Sequence, residues 1–180
     1  MRVPVVKISL ILFLALVLTG CRKNYILSDK QVILFQMEYI NYAWGYQHHG
    51  YFIDNEGNVL TYENPEEWNF PGENQIISQN LLFENLSKCT KYERIIPHDE
   101  LEKVSKHIVN IAASKVTAQK NVGADMGSLT YNCFQFDEGS LTYKSYLIRM
   151  EGDYTCENLN LFSRKVALWM KDIGDDLRQF

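Results

Sequence analysis

No stretch of this chain spells out a familiar catalytic device. It has no G-x-S-x-G elbow for a serine nucleophile and no G-x-x-x-x-G-K-S/T loop to cradle a phosphate. It also has no G-x-G-x-x-G turn and no H-E-x-x-H helix. The absence of any C-x-x-C pair argues against thioredoxin-like redox work and zinc ribbons. Basic residues are in deficit, 18 against 22 acidic ones for a net charge of −4, so the basic face that a general nucleic-acid binder needs is missing. No Pro/Gly/Ser-rich linker and no internal repeat divides the chain. What is present is an ordinary folding-competent composition, with 46% hydrophobic, 13% aromatic and 22% charged residues in 180. That excludes a disordered tail, a collagen-like repeat and a polytopic membrane protein.

The first twenty-one residues differ from the rest. Arg2 and Lys7 form a short cationic start, and Ile8 to Leu18 is apolar except for Ser9. This run is too short for the roughly twenty residues that cross a bilayer, and it fits the core of a secretory signal. Leu18-Thr19-Gly20-Cys21 then resembles the bacterial lipobox: a leucine, two small residues and an obligatory cysteine. The resemblance to bacterial lipoproteins implies a diacylglycerol on the Cys21 thiol, cleavage just before it and acylation of the new N-terminus. An ordinary signal peptide with a chance cysteine is the alternative. The implied organisation is a signal peptide over 1–20, a lipidated tether over 21–31 and one domain over 32–180. Without Arg2 and Lys7, 16 basic residues face 22 acidic ones, a charge of −6. Anionic lipids would not attract such a domain, so the lipid on Cys21 is the expected membrane attachment. Arg22 follows the cysteine, where an aspartate would resemble an inner-membrane retention signal. The expected location is therefore the cell membrane or, in a two-membrane cell, the outer membrane, with the domain in the periplasm or outside.

The mature part reads as a single α+β domain with an antiparallel sheet built from two hairpin groups and about three helices. Val32 to Tyr42 alternates after an apolar start and favours a strand, although a helix also accommodates it. Residues 50–53 and 59–62 flank Asp54-Asn55-Glu56-Gly57-Asn58, a hairpin signal. Helices are expected over Asn74 to Lys88 and over His98 to Val116, the second with Asp99 and Glu102 at capping-box spacing. A second hairpin is expected from 128–136 and 141–150. The last helix, Asn158 to Leu177, carries Leu159, Phe162, Val166, Trp169 and Ile173 on one stripe, which should cover the sheet or else dock a partner helix.

Three cysteines remain after Cys21. Export into an oxidising compartment allows a disulfide, for which Cys133 and Cys156 are the favoured pair, while three buried thiols are the other reading. His48 and His49 are adjacent and on a strand would face opposite ways, and His98 and His107 fall on different sides of a helix, so the histidines read as exposed rather than as ligands. The Asp54–Asn58 segment lacks the glycine and glutamate positions of a calcium-binding EF-hand loop. No catalytic residue, metal site or cofactor is assigned.

Aromatic density is the remaining signal. Tyr39, Tyr42, Trp44, Tyr46, Tyr51 and Phe52 crowd one segment beside Asn41 and Gln47. Rings beside amides suit a sugar- or peptide-binding face, with Trp44, Tyr46 and Tyr51 as candidates, and cross-strand aromatic pairing is the bland alternative. The leading expectation is a non-catalytic lipoprotein module that binds an envelope protein or a glycan, one version being an inhibitor of a secreted enzyme. An envelope hydrolase using Asp125 or Glu138, and a purely structural component, stay open.

Overall fold

The computed structural model describes residues 28–177, so the signal, the lipobox and Cys21 lie outside the described residues. Nine strands follow in the order β1 (Ile33–Asn41), β2 (Gln47–Asp54), β3 (Asn58–Glu63), β4 (Ile76–Ser78), β5 (Thr90–Ile95), β6 (Lys120–Asn121), β7 (Ser128–Asp137), β8 (Thr142–Gly152) and β9 (Tyr154–Glu157). The helical segments are α1 (Gln79–Ser87), α2 (His98–Ser105), α3 (Ile108–Ala112) and α4 (Ser163–Leu177). The fold is α+β. All strands join one antiparallel sheet in the order β5-β3-β2-β1-β7-β8-β9-β6, and β4 pairs with the first half of β8. The two hairpin groups, β1-β2-β3 and β7-β8, meet where β1 pairs with β7.

The sheet is covered on both sides, which explains why β1 starts with an unbroken apolar run. On one face Phe35, Met37, Tyr51, Ile53, Cys133 and Ile148 pack against α2, α3 and α4 through Leu101, Ile108, Ile111, Val166, Met170 and Ile173. On the other, Ile33, Phe52, Phe134 and Tyr143 pack under Ile77 and Leu82, with Trp68 and Leu86 alongside. Trp68 belongs to a strap, residues 64–75, that crosses this second face between β3 and β4. Asn69 and Asn85 pin it by exchanging hydrogen bonds at 2.9 and 2.7 Å, and the Lys88 ammonium donates to the carbonyls of Glu66 and Glu67.

Local chemistry sets the ends. Asp54 Oδ1 accepts the N–H groups of Glu56 and Asn58 at 2.9 and 2.8 Å, and Gly57 closes the turn at φ +84°, where a Cβ would also collide with the Ile96 carbonyl. The first helix begins at Gln79 rather than Asn74, because Ile76 and Ile77 pair with β8 and Ser78 Oγ then caps the Leu81 N–H. The second helix is interrupted at Lys106-His107. It starts from Pro97 with no side-chain cap, and Asp99 pairs with Lys103 at 2.8 Å instead of forming a capping box. The last helix begins at Ser163, not Asn158. Buried Asn158 donates to the Ile111 and Leu147 carbonyls and accepts from Asn160 N–H and the Ser163 hydroxyl, fixing a non-helical turn. Val166 and Ile173 of the expected stripe are buried, whereas Leu159 and Phe162 are exposed.

The Cys133–Cys156 pairing is corrected by the strand register. Both thiols are buried and unbonded. Cys133 sits opposite Phe35 on the helix-covered side, while Cys156 is opposite Met150, which is opposite Thr130, three residues from Cys133 and so on the other face. Strand β8 also stands between them, placing the backbones about 10 Å or more apart, beyond the roughly 7 Å a disulfide spans. Burial pushes the Cys133 thiol far up and the Cys89 thiol up to about 12, so neither is a poised nucleophile.

Candidate functional site

The turn joining β1 to β2 carries Tyr42, Ala43, Trp44, Gly45 and Tyr46. Tyr42 is 71% exposed, Trp44 76% and Tyr46 47%, and the Tyr42 and Tyr46 rings lie 5.4 Å apart. Gly45, at φ +95°, lets the chain reverse between the two outward rings. Buried Asn41 fastens this turn in place. Its amide donates to the Tyr39 hydroxyl at 3.0 Å and the Asp125 carbonyl at 3.2 Å, and its Oδ1 accepts the Ala43 N–H at 2.8 Å.

Beside the turn opens a cleft of about 500 Å³. Tyr42, Phe70, Met150 and Tyr154 give it apolar walls, and Ser128 and Asp153 supply polar groups. Asp153 Oδ1 accepts the Met126 N–H at 2.8 Å. Its other carboxylate oxygen, with the hydroxyls of Ser128, Tyr42 and Tyr154, has no partner among the described residues. Phe70, from the strap, is the wall shared with the interior.

Behind Phe70 lies a buried polar string. His48 is 0% exposed, and its Nε2 is 2.9 Å from Glu38 Oε1. A carboxylate accepts, so Nε2 donates. The Gln36 amide donates to the Tyr62 hydroxyl at 3.0 Å and reaches Glu38 at 3.4 Å. Burial first, and then the charge of Glu38, hold the Tyr62 phenol well above its usual value. Gly50 makes the string possible: a Cβ there would collide with the Met37 carbonyl and fall 2.6 Å from the Tyr62 hydroxyl. The imidazole is boxed by Tyr62 and Trp68 at 5.2 Å each, Phe70 at 5.5 Å and Tyr46 at 6.0 Å. Its Nδ1 is buried with no hydrogen-bond partner among the described residues.

Of the four histidines expected to be exposed, His98 is exposed, His49 and His107 are half-buried, and His48 departs outright. His48 and His49 do face opposite ways, but His48 is interior, and His107 stacks on Phe162 at 4.0 Å. Nothing in the sequence marked His48, because its burial depends on Glu38 and Tyr62 arriving on neighbouring strands. Trp44 and Tyr46 fall together on one exposed turn. Tyr51 does not join them: it is 0% exposed, and its hydroxyl donates to the Met170 carbonyl, tying α4 to the sheet. Phe70, Asp153 and Tyr154 were missed, since the strap and β9 reach the cleft only through tertiary pairing. Asp125 stands near the same end. Glu138 sits at the far end of β7, about 30 Å away along ten residues. There Lys30 and Ser28 bind its carboxylate and hold it below its usual value, the reverse of what a general acid needs.

Comparison with known proteins yields no relative: no family model, no characterised protein and no solved structure matches this chain.

Proposed function

We propose that this chain is a cell-envelope lipoprotein, anchored by lipid on Cys21, whose domain holds a partner at the aromatic end of its sheet. The observation that carries this reading is polarity. Ser28, seven residues after Cys21, contacts Glu138 at one end of the sheet, and Tyr42, Trp44 and Tyr46 crown the opposite end. The nine residues of β1 separate these ends by about 30 Å. A lipid on Cys21 would hold the first end toward the membrane and turn the rings toward whatever lies beyond it. An exposed aromatic cluster of this kind favours a binding role over a purely structural one. The alternative of a hydrolase using Asp125 or Glu138 with a further partner gains no support at Glu138, whose carboxylate Lys30 and Ser28 hold below its usual value.

Two experiments test the reading. Cys21→Ser should move the protein from the membrane to the soluble fraction without loss of fold, and retention would overturn the anchor. Crosslinking in the native host, followed by mass spectrometry, should recover an envelope component that is lost when Trp44 and Tyr46 become Ala. Identical recovery from the double variant would overturn the aromatic end as the binding surface.

A further inference from the structure

We infer that the cleft beside the aromatic turn binds a neutral glycan segment, an inference that rests on the binding role proposed above. Of its apolar walls, Tyr42, Phe70 and Tyr154 offer flat rings for the C–H faces of a sugar, and Met150 adds an apolar surface beside them. Between them stand polar groups that can pair with both donors and acceptors. The Tyr42, Ser128 and Tyr154 hydroxyls can do either, and the second oxygen of Asp153 accepts only. A polyhydroxylated ring answers all four, whereas an acyl chain would leave them unpaired at a cost. Charge narrows the class further. Among the described residues no lysine or arginine lines the cleft, Asp153 does, and the turn over 41–47 carries no charged residue, so an anionic polymer is disfavoured. The volume, about 500 Å³, falls in the range of small-ligand pockets rather than of a flat protein interface. Asn41 and Asp153 hold the surrounding backbone before any ligand arrives, which lowers the ordering cost of binding.

The test uses the full-length protein in detergent micelles, titrated with cello-, manno-, galacto- and chito-tetraose by calorimetry and by tryptophan fluorescence. At least one series should bind saturably. Tyr42→Ala and Tyr154→Ala should each weaken it about tenfold, with near-UV circular dichroism confirming that each variant stays folded. Lys30→Ala, at the opposite end, should leave binding unchanged. Binding by the chito series alone would point to an N-acetylated wall-type glycan, and binding by the others to an unacetylated one. No saturable binding by any series would overturn the glycan inference. If host crosslinking then still captured a protein through Trp44, the binding role would stand with a protein partner. If it captured nothing, both would fall.

Discussion

The two faces of the sheet are built on different principles. The helix-covered face has an apolar centre, with α2, α3 and α4 laid on Phe35, Met37, Tyr51 and Ile53. The strap-covered face begins the same way, with Ile33, Phe52 and Phe134 under Leu82, and then turns polar at Gln36, Glu38, His48 and Tyr62. Apolar packing against a helix stripe tolerates many sequences of similar volume. A half-buried carboxylate that gathers an imidazole and an amide beside a phenol demands particular partners at particular register positions. The first face makes the domain stable. The second makes the wall behind Phe70 rigid, and Phe70 is the residue through which the interior meets the cleft.

The largest effect should come from the helix face. Phe35 is fully buried and meets Trp169 edge-on at 5.4 Å. Phe35→Ala should cost about 3–5 kcal/mol in denaturant unfolding, and a loss under about 1 kcal/mol would mean that this face is loosely packed. On the other face, Glu38→Ala strands the Nε2–H of buried His48 and should cost about 1–3 kcal/mol. Glu38→Gln keeps an acceptor and should cost less. Equal losses from the two Glu38 variants would show that charge, rather than hydrogen bonding, matters at this position.

Alkaline unfolding sharpens the contrast. The folded state keeps the Tyr62 proton at pH values where the unfolded chain releases it. That contribution is complete below about pH 10, the usual phenol value, and declines as pH rises above it. Tyr62→Phe should therefore flatten the stability profile above about pH 10, and an unchanged slope would place the alkaline sensitivity elsewhere. The smallest effect belongs to Gly174 of α4, which lies where the helix meets the sheet. A Cβ there would stand 3.4 Å from Met37 Cε and 3.5 Å from Tyr51 Cε1, ordinary contact distances. Gly174→Ala should stabilise the protein by about 0.5–1 kcal/mol through helix propensity, and destabilisation would mean that α4 is packed too tightly to move.

Elements whose own side chains alternate were legible from the sequence. The β2–β3 hairpin followed from Asp54 to Asn58, the β7–β8 hairpin from its paired alternations, and α4 from its stripe. Short edge strands were not: β5, Thr-Lys-Tyr-Glu-Arg-Ile, is half charged, as edges often are, and β4, β6 and β9 are too short to show a period. Of the candidate site, Trp44 and Tyr46 were legible because a glycine between two aromatics marks an exposed turn. Tyr51 was misassigned, because the same aromatic density runs straight from that turn into the core.

The sequence by itself determined the signal-like start, the α+β class and the concentration of rings near residue 44, all properties of contiguous residues. Tertiary structure decided the rest. It put Cys133 and Cys156 on opposite faces, brought Phe70 and Tyr154 to one cleft and buried His48 against Glu38. Each of these depends on which strands are neighbours and in what register, and that is settled by the packing of the whole sheet rather than by any local run of residues.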